Sequence, residues 1–347
     1  MPHQVTLLIP TIGRANLLTY VLDGLCRQSY GDFDVLVVSK SADCEIKSIV
    51  DRFSKLLDIR CLVQKQGGLI EAYNEGIHEA KGKIIMFLDD DAVPDPHCVE
   101  EHISTYERYS VSGVSGEVVP TQFVNGKLKP IEGGSEIISI YKEPAILRRI
   151  GEKLWSSPLK GQEGYLAYIS KAGYSRKNIY LPRGEIVESL LCMAANMSVL
   201  ASTVKGYHMP TSFLKRGIDF EQILGWKLWK NRHRTVFNPK PKVYHILHGE
   251  TASRFLNEKN ALQATVEDEL VFYYLLKEGE KLSKMHRIVS ILHSSLVHVR
   301  KIRYNWRYET SVLKGIFLGN IIGFKWLLSN KFKGAYLPAN DDLIECV

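Results

Sequence analysis

The chain has 347 residues, of which 45% are hydrophobic and 24% charged, a composition that excludes wholesale disorder and allows one large or two modest domains. Its net charge of +7 is uneven: eleven Lys/Arg and one acid lie between Lys281 and Lys333, about +10, so the rest sums to about −3 and a general polyanion-binding surface is excluded. The six cysteines (26, 44, 61, 98, 192, 346) follow neither metal nor disulfide-framework spacing, and no secretory leader is visible, so a reducing cytoplasm is expected.

In chain order, apolar β-branched runs at Val5–Pro10, Phe33–Val38, Ile59–Val63 and Lys83–Leu88 predict strands. Between them, Leu17, Leu18, Val21, Leu22 and Leu25 keep one face of a 3.6-residue period, and Glu45–Leu57 and Leu69–Ala80 read as further helices. This alternation predicts an α/β fold, a mostly parallel sheet flanked by helices, with functional residues at the carboxyl ends of strands. Two such ends carry polar residues: Pro10-Thr11-Ile12-Gly13-Arg14 and Asp89-Asp90-Asp91. From about Pro120 to Pro182 the pattern breaks into loops and short elements. Order returns at Glu188–Leu200, then a helix over Asp219–Trp229, two short strands at Thr235–Phe237 and Val243–Ile246, and helices from Glu258 to Leu328.

The stretch IIMFLDDDAVPDP runs a buried strand straight into three carboxylates, which repel one another unless something cationic is expected there. Two carboxylates one residue apart at a turn can face one divalent cation, which in turn can neutralise a diphosphate leaving group. The bland alternatives are a solvated acidic turn, or a cap in which Asp95 serves the helix beginning near His97. An EF-hand, with Asp89, Asp91, Asp95 and Glu100 at loop positions 1, 3, 7 and 12, is rejected because Pro94 stands where that loop needs glycine.

VTLLIPTIGRANLLTYVL, then FDVLVVS, then GGLIEAYNEGIHEAKGKIIMFLDDDAVPDP together resemble glycosyltransferase family 2, the inverting nucleotide-sugar transferases of GT-A fold. The resemblance covers roughly residues 4–106. It implies a nucleotide-sugar pocket built from Pro10, Thr11, Ile12, Arg14, Ser39, Gly68, Asn74, Asp89 and Asp90, with Mn²⁺ or Mg²⁺ held by Asp89, Asp91 and His245. In the second half, MAANMSVLAS resembles an acceptor segment of the family and places Asn196 there, with Trp226 as a second acceptor contact. GIDFEQILGWKL resembles the family's acidic helix start and puts a catalytic base at Asp219, supported by Glu221. His245 could equally be a buried hydrogen-bonded histidine, and His248 would face the other side of an extended strand.

Some residues depart from the family pattern. Ser39 stands where an Asp that reads the base is usual, Asp43 is displaced, Ile218 replaces an acidic partner, and Val199 and Leu200 replace an aromatic and a basic residue. The donor nucleotide therefore stays open among UDP, GDP and dTDP. A sugar-nucleotidyltransferase would want a Gly-rich, basic phosphate loop after the first strand; PTIGRAN has one Gly and no Lys. A dehydrogenase would want G-x-G-x-x-G there, which is absent. A non-catalytic glycan- or lipid-binding scaffold of the same fold remains the other reading.

In SVLKGIFLGNIIGFKWLLS, Lys314, Asn320 and Lys325 interrupt the apolar run, which argues against a clean membrane span and for an interfacial helix with Trp326 and Phe317 at the acyl boundary. A packing helix or homodimer interface is the alternative, and nucleic acid is not expected. The expected organisation is a catalytic domain over 1–255, divided into donor (1–118) and acceptor (119–255) halves, and a basic helical region over 256–347. The expected setting is the cytoplasmic face of a membrane, with a lipid-linked glycan or polysaccharide as acceptor.

Overall fold

The computed structural model describes residues 3–40, 44–64, 67–124, 127–131, 154, 156–178, 184–211, 217, 219–247 and 258–328. Expectations on Asp43, Ile218, His248 and the chain beyond Leu328 lie outside these residues.

The first half is the expected α/β layer. Strands β1 (Val5–Thr11), β2 (Phe33–Ser39), β3 (Ile59–Val63) and β4 (Ile84–Phe87) pair in parallel as β4-β1-β2-β3. Every residue of β1, β2 and β4 is buried, the signature of strands covered on both faces. Helices α1 (Ala15–Leu25), α2 (Cys44–Phe53) and α3 (Leu69–Glu79) make the crossovers. Gly76 lets α3 lie close on β1, since a Cβ there would meet Leu8 Cδ1 at 2.2 Å. After β5 (Ala92–Pro94) and α4 (Cys98–Arg108) the sheet continues.

The second half adds β6 (Gly113–Val124), β7 (Lys127–Pro130), a separate hairpin of β8 (Ala167–Ile169) and β9 (Ser175–Lys177), β10 (Val187–Glu188), β11 (Met197–Leu200), short helix α5 (Ala201–Val204), α6 (Phe220–Lys230) and β12 (Thr235–Ile246). The main path runs β10-β12-β6-β11-β4-β1-β2-β3, with β5 on β12 and β7 on β6. β11 is antiparallel to both β4 and β6, so it stitches the two halves into one mixed sheet.

One expectation changes. The two short strands expected around FNPKPK are one strand, β12, whose register against β6 shifts between Phe237 and Lys242. Pro239 and Pro241 have no N–H to give the ladder, so the pairing slips there rather than stopping. The division expected at residue 118 falls inside β6, and the strand continues past Pro120.

The C-terminal region is helical as expected: α7 (Glu258–Lys277), α8 (Lys284–Lys301) and α9 (Trp306–Leu328). By length and composition α9 could cross a membrane, but one face is packed on α7. Gly315, Gly319 and Gly323, one turn apart, abut Thr265, Glu269 and Tyr273, where added Cβ atoms would come within 2.6 Å.

Candidate active site

β1 ends at Thr11, and Gly13, with φ of 91°, turns the chain into α1 in a conformation that L side chains rarely adopt. Arg14 follows immediately. Beside it, the Leu88 N–H donates to Leu8 O at 3.1 Å, so the end of β4 delivers Asp89–Asp91 next to Thr11 and Arg14. β5 then pairs with β12, setting His245 opposite Ala92, while the Ile246 N–H donates to Asp91 O at 2.9 Å. Two strand pairings and these backbone hydrogen bonds thus bring these groups to the carboxyl ends of β1 and β4.

The three carboxylates divide their tasks. Asp90 is fully buried; its Oδ2 accepts from Thr11 Oγ1 at 2.6 Å and Arg14 Nε at 3.1 Å, and Arg14 Nη2 pairs with Oδ1. Burial pushes its carboxyl up to about 6 despite the opposing Arg14. Arg14 Nη1 also donates to Asp91 Oδ2 at 3.0 Å, while Asp91 Oδ1 faces His245 Nε2 at 3.0 Å. Asp89 Oδ1 accepts from Tyr73 Oη at 3.4 Å. Burial, followed by the Asp91 charge beside it, holds the Asp89 carboxyl well above the usual carboxylate range.

Asp89, Asp91 and His245 each offer a ligand atom, all within 4.8 Å of one another. A divalent ion with ligands at about 2.0–2.6 Å joins such a set with small side-chain adjustments, and two carboxylates plus an imidazole suit Mn²⁺ better than the all-oxygen preference of Mg²⁺. The residues present therefore fit the expected metal. The cation anticipated by the acidic run is supplied in part by the chain itself, as Arg14 on Asp90.

From Asp89 a chain of contacts reaches α6. The Tyr73 ring packs edge-on against Phe87 at 5.3 Å and stacks on Phe220 at 4.6 Å. Phe220 is flanked by Asp219 and Glu221. Asp219 adopts a left-handed conformation, φ 55°, and its side chain makes no cap hydrogen bond, so it is not an ordinary helix N-cap. Instead its carboxyl lies beside that of Asp268 on α7. Burial, then the Asp268 charge, hold the Asp219 carboxyl well above its ordinary range. Arg176 on β9 acts on both groups in the opposite direction.

The remaining expected residues divide. Ser39 ends β2 beside Thr11, buried; Pro10 lies in β1, and Ile12 is 66% exposed at the mouth. Gly68 precedes α3, its N–H donating to Glu71 Oε2 at 2.8 Å. Three do not reach an open site. Asn74 holds the backbone N–H and O of Met209 at 2.9 and 3.0 Å. Asn196, fully buried, accepts from His102 Nε2 at 2.8 Å and donates to Glu117 O and Pro241 O, pinning α4, β6 and β12 together. Trp226 is also fully buried, its indole N–H on Glu280 Oε2 at 2.9 Å. The acceptor contacts were expected of Asn196 and Trp226; in this structure the polar atoms of both are engaged inside the fold. Sequence reading missed Tyr73, Arg176 and Asp268. Tyr73 lay inside the quoted AYNEG segment, whereas no local signal marks Asp268.

Residues 6–172 match the family model described as Glycosyl transferase family 2. The chondroitin synthase of Escherichia coli is 33% identical over 102 residues, covering 28% of this chain and 15% of that protein. The glycosyltransferase AglE of Haloferax volcanii is 31% identical over 118 residues, covering 33% of this chain and 39% of that one. The match thus spans well under half the length of either relative. Among solved structures, a mannosyltransferase of Pyrobaculum calidifontis in complex with GDP-Man and Mn²⁺ is similar with a TM-score of 0.52 at 11% identity, covering 95% of this chain and 89% of that one. At that identity the likeness is one of fold, the GT-A arrangement.

Proposed function

We propose, from the premise that this chain belongs to glycosyl transferase family 2 through residues 6–172, that it moves a sugar from a nucleotide-sugar donor to an acceptor hydroxyl with inversion. The observation that carries the reading is the Asp89–Asp91–His245 cluster at the carboxyl end of β4, beside Thr11 and Arg14. The proposed acceptor is a lipid-linked glycan or a polysaccharide, and the proposed setting is the cytoplasmic face of a membrane. That choice is supported by the basic helical region and not by the site itself.

In this reading Asp89, Asp91 and His245 hold a divalent ion, Mn²⁺ or Mg²⁺, which when bound neutralises the departing diphosphate. Asp90 is a positioning residue: it fixes Thr11 and Arg14, and Arg14 in turn fixes Asp91. Asp219 takes the proton from the acceptor hydroxyl, on the side opposite the leaving group, and Glu221 adds negative potential on the same helix start. A carboxyl held above its ordinary range is a stronger base once ionised, which suits removal of a hydroxyl proton. Tyr73 and Phe220 set the spacing between the two ends of the site.

The test is a panel of UDP-, GDP- and dTDP-sugars with Mn²⁺ or Mg²⁺, read as donor-dependent thermal stabilisation and release of nucleoside diphosphate. Stabilisation together with turnover supports a transferase. Stabilisation without release in the presence of glycan acceptors would leave a sugar-nucleotide-binding scaffold, and pyrophosphate chemistry with a nucleoside triphosphate would instead mark a nucleotidyltransferase.

A further inference from the structure

The C-terminal helices carry an apolar surface that is exposed among the described residues. On α8, Met285, Ile288, Leu292, Leu296 and Val299 are each 52–68% exposed. At about 100° per residue they fall within an arc of about 80°. The opposite face carries the buried Arg287 and Ser290, so α8 is packed on one side only. On α9, Trp306, Phe317, Phe324 and Leu328 are 56–67% exposed and fall within about 40° of one another, opposite the glycine face.

Basic residues border both stripes. Lys284 and Arg300 flank the one on α8, and Arg307, Lys314 and Lys325 line one edge of that on α9. Between Lys281 and Leu328 the single acid is Glu309, which is buried and paired with His298. Of the basic side chains in this span, Arg287 is turned inward onto Glu269. Arg307 lies 3.9 Å from Glu258 at the start of α7, and the exposed Lys284, Arg300, Lys314 and Lys325 carry the rest of the rim.

We propose that the exposed faces of α8 and α9 form an interfacial docking surface for an anionic lipid bilayer, in which the helices lie in the headgroup plane. Charge decides between the occupants. Two copies of this chain meeting through these stripes would bring their Lys/Arg rims together, whereas anionic headgroups neutralise them. Apolar stripes with Trp and Phe on one face and Lys/Arg at the border are the pattern of an in-plane helix. The surface extends beyond the Ser311–Ser329 stretch marked by sequence, because α8 contributes as much of it as α9. It stands apart from the transferase reading, since docking is measured without donor or acceptor.

The experiment is sedimentation of the full chain with phosphatidylcholine vesicles, with and without phosphatidylglycerol, at low and high salt, alongside the double variant Leu292→Glu/Leu296→Glu. Both positions are more than half exposed, so the melting temperature is the control that the fold is intact. The expected result is binding to the anionic vesicles at low salt, partial release at high salt, and about a tenfold or greater loss in the double variant at unchanged melting temperature. Failure of the wild-type chain to bind anionic vesicles, or equal binding by the folded double variant, overturns the proposal. A dimer that the double variant dissociates, without vesicle binding by the wild type, makes these stripes a self-interface and also overturns it.

Discussion

Asp90 shows how three neighbouring acids can coexist at a strand end: its carboxylate turns inward to Thr11 and Arg14, while Asp89 and Asp91 turn toward His245. The consequence is a difference between variants one residue apart. Asp89→Asn should abolish metal-dependent donor binding with little change in melting temperature, because Asp89's hydrogen bond to Tyr73 is long, at 3.4 Å. Asp91→Asn should abolish the same binding and also lower stability by about 1–3 kcal/mol, since Asp91 is buried and holds both Arg14 and His245. Donor titration calorimetry with and without Mn²⁺, beside thermal melts, checks both; Mn²⁺-dependent donor binding by Asp89→Asn would remove the cluster from the mechanism. A second pair concerns the base. Asp219→Asn should keep donor binding and reduce transfer by about two to four orders of magnitude. Asp268 raises the Asp219 carboxyl, so Asp268→Asn should lower it and move the acid limb of the kcat/KM profile to lower pH. An unmoved limb would mean that the Asp219–Asp268 contact is structural only.

At the scale of elements, α7 is the helix through which the C-terminal region joins the catalytic sheet, because it meets Asp219 on one side and the glycine face of α9 on another. Glu269, one residue beyond Asp268, is buried and accepts from Tyr174 Oη at 2.8 Å and Asn320 Nδ2 at 2.6 Å, with Arg287 as its ion-pair partner. The Arg287 guanidinium also lies over the Tyr174 and Phe272 rings, each at 4.5 Å. This knot ties the β8–β9 hairpin to all three terminal helices. Arg287→Ala should therefore cost about 3–5 kcal/mol in denaturant unfolding, because a buried carboxylate is left without its cation. Arg287→Met paired with Glu269→Gln should recover part of that loss; no recovery would mean that packing on the rings, and not charge, is what Arg287 supplies. Gly319→Val tests the helix contact. A β-carbon there would meet Glu269 Cβ at 2.5 Å, and overpacking of about 1–3 kcal/mol exceeds the few tenths of a kcal/mol gained in helix propensity. A lower melting temperature is expected, and an unchanged one would mean that α9 can move off α7.

For the whole molecule, what could be read from sequence follows the range of the interactions. The parallel half was legible because each strand is a continuous apolar run and each crossover helix keeps its period locally, and the acidic part of the candidate cluster was legible because Asp89 and Asp91 lie one residue apart. The burial of Asn196 and Trp226 was not legible, because an amide or indole looks the same in sequence whether it faces an acceptor or satisfies buried groups. Asp268 was invisible because its partner Asp219 lies far away in the chain and on another element. The same long-range character makes the C-terminal helices inseparable from the rest. Ending the chain at Glu280 would remove Arg287 and Asn320 from around Glu269 and strip α9 from Thr265 and Tyr273. Such a chain should melt at a lower temperature and aggregate, even though the surface it loses is the apolar one. It should also lose transfer more than donor binding, because α7 carries Asp268 to the proposed base Asp219, while Asp89 and Asp91 lie in the turn between β4 and β5 and His245 lies in β12. Melting curves, light scattering and donor titration on the truncated chain check this; a soluble, fully active truncation would show that the terminal helices are an independent appendage.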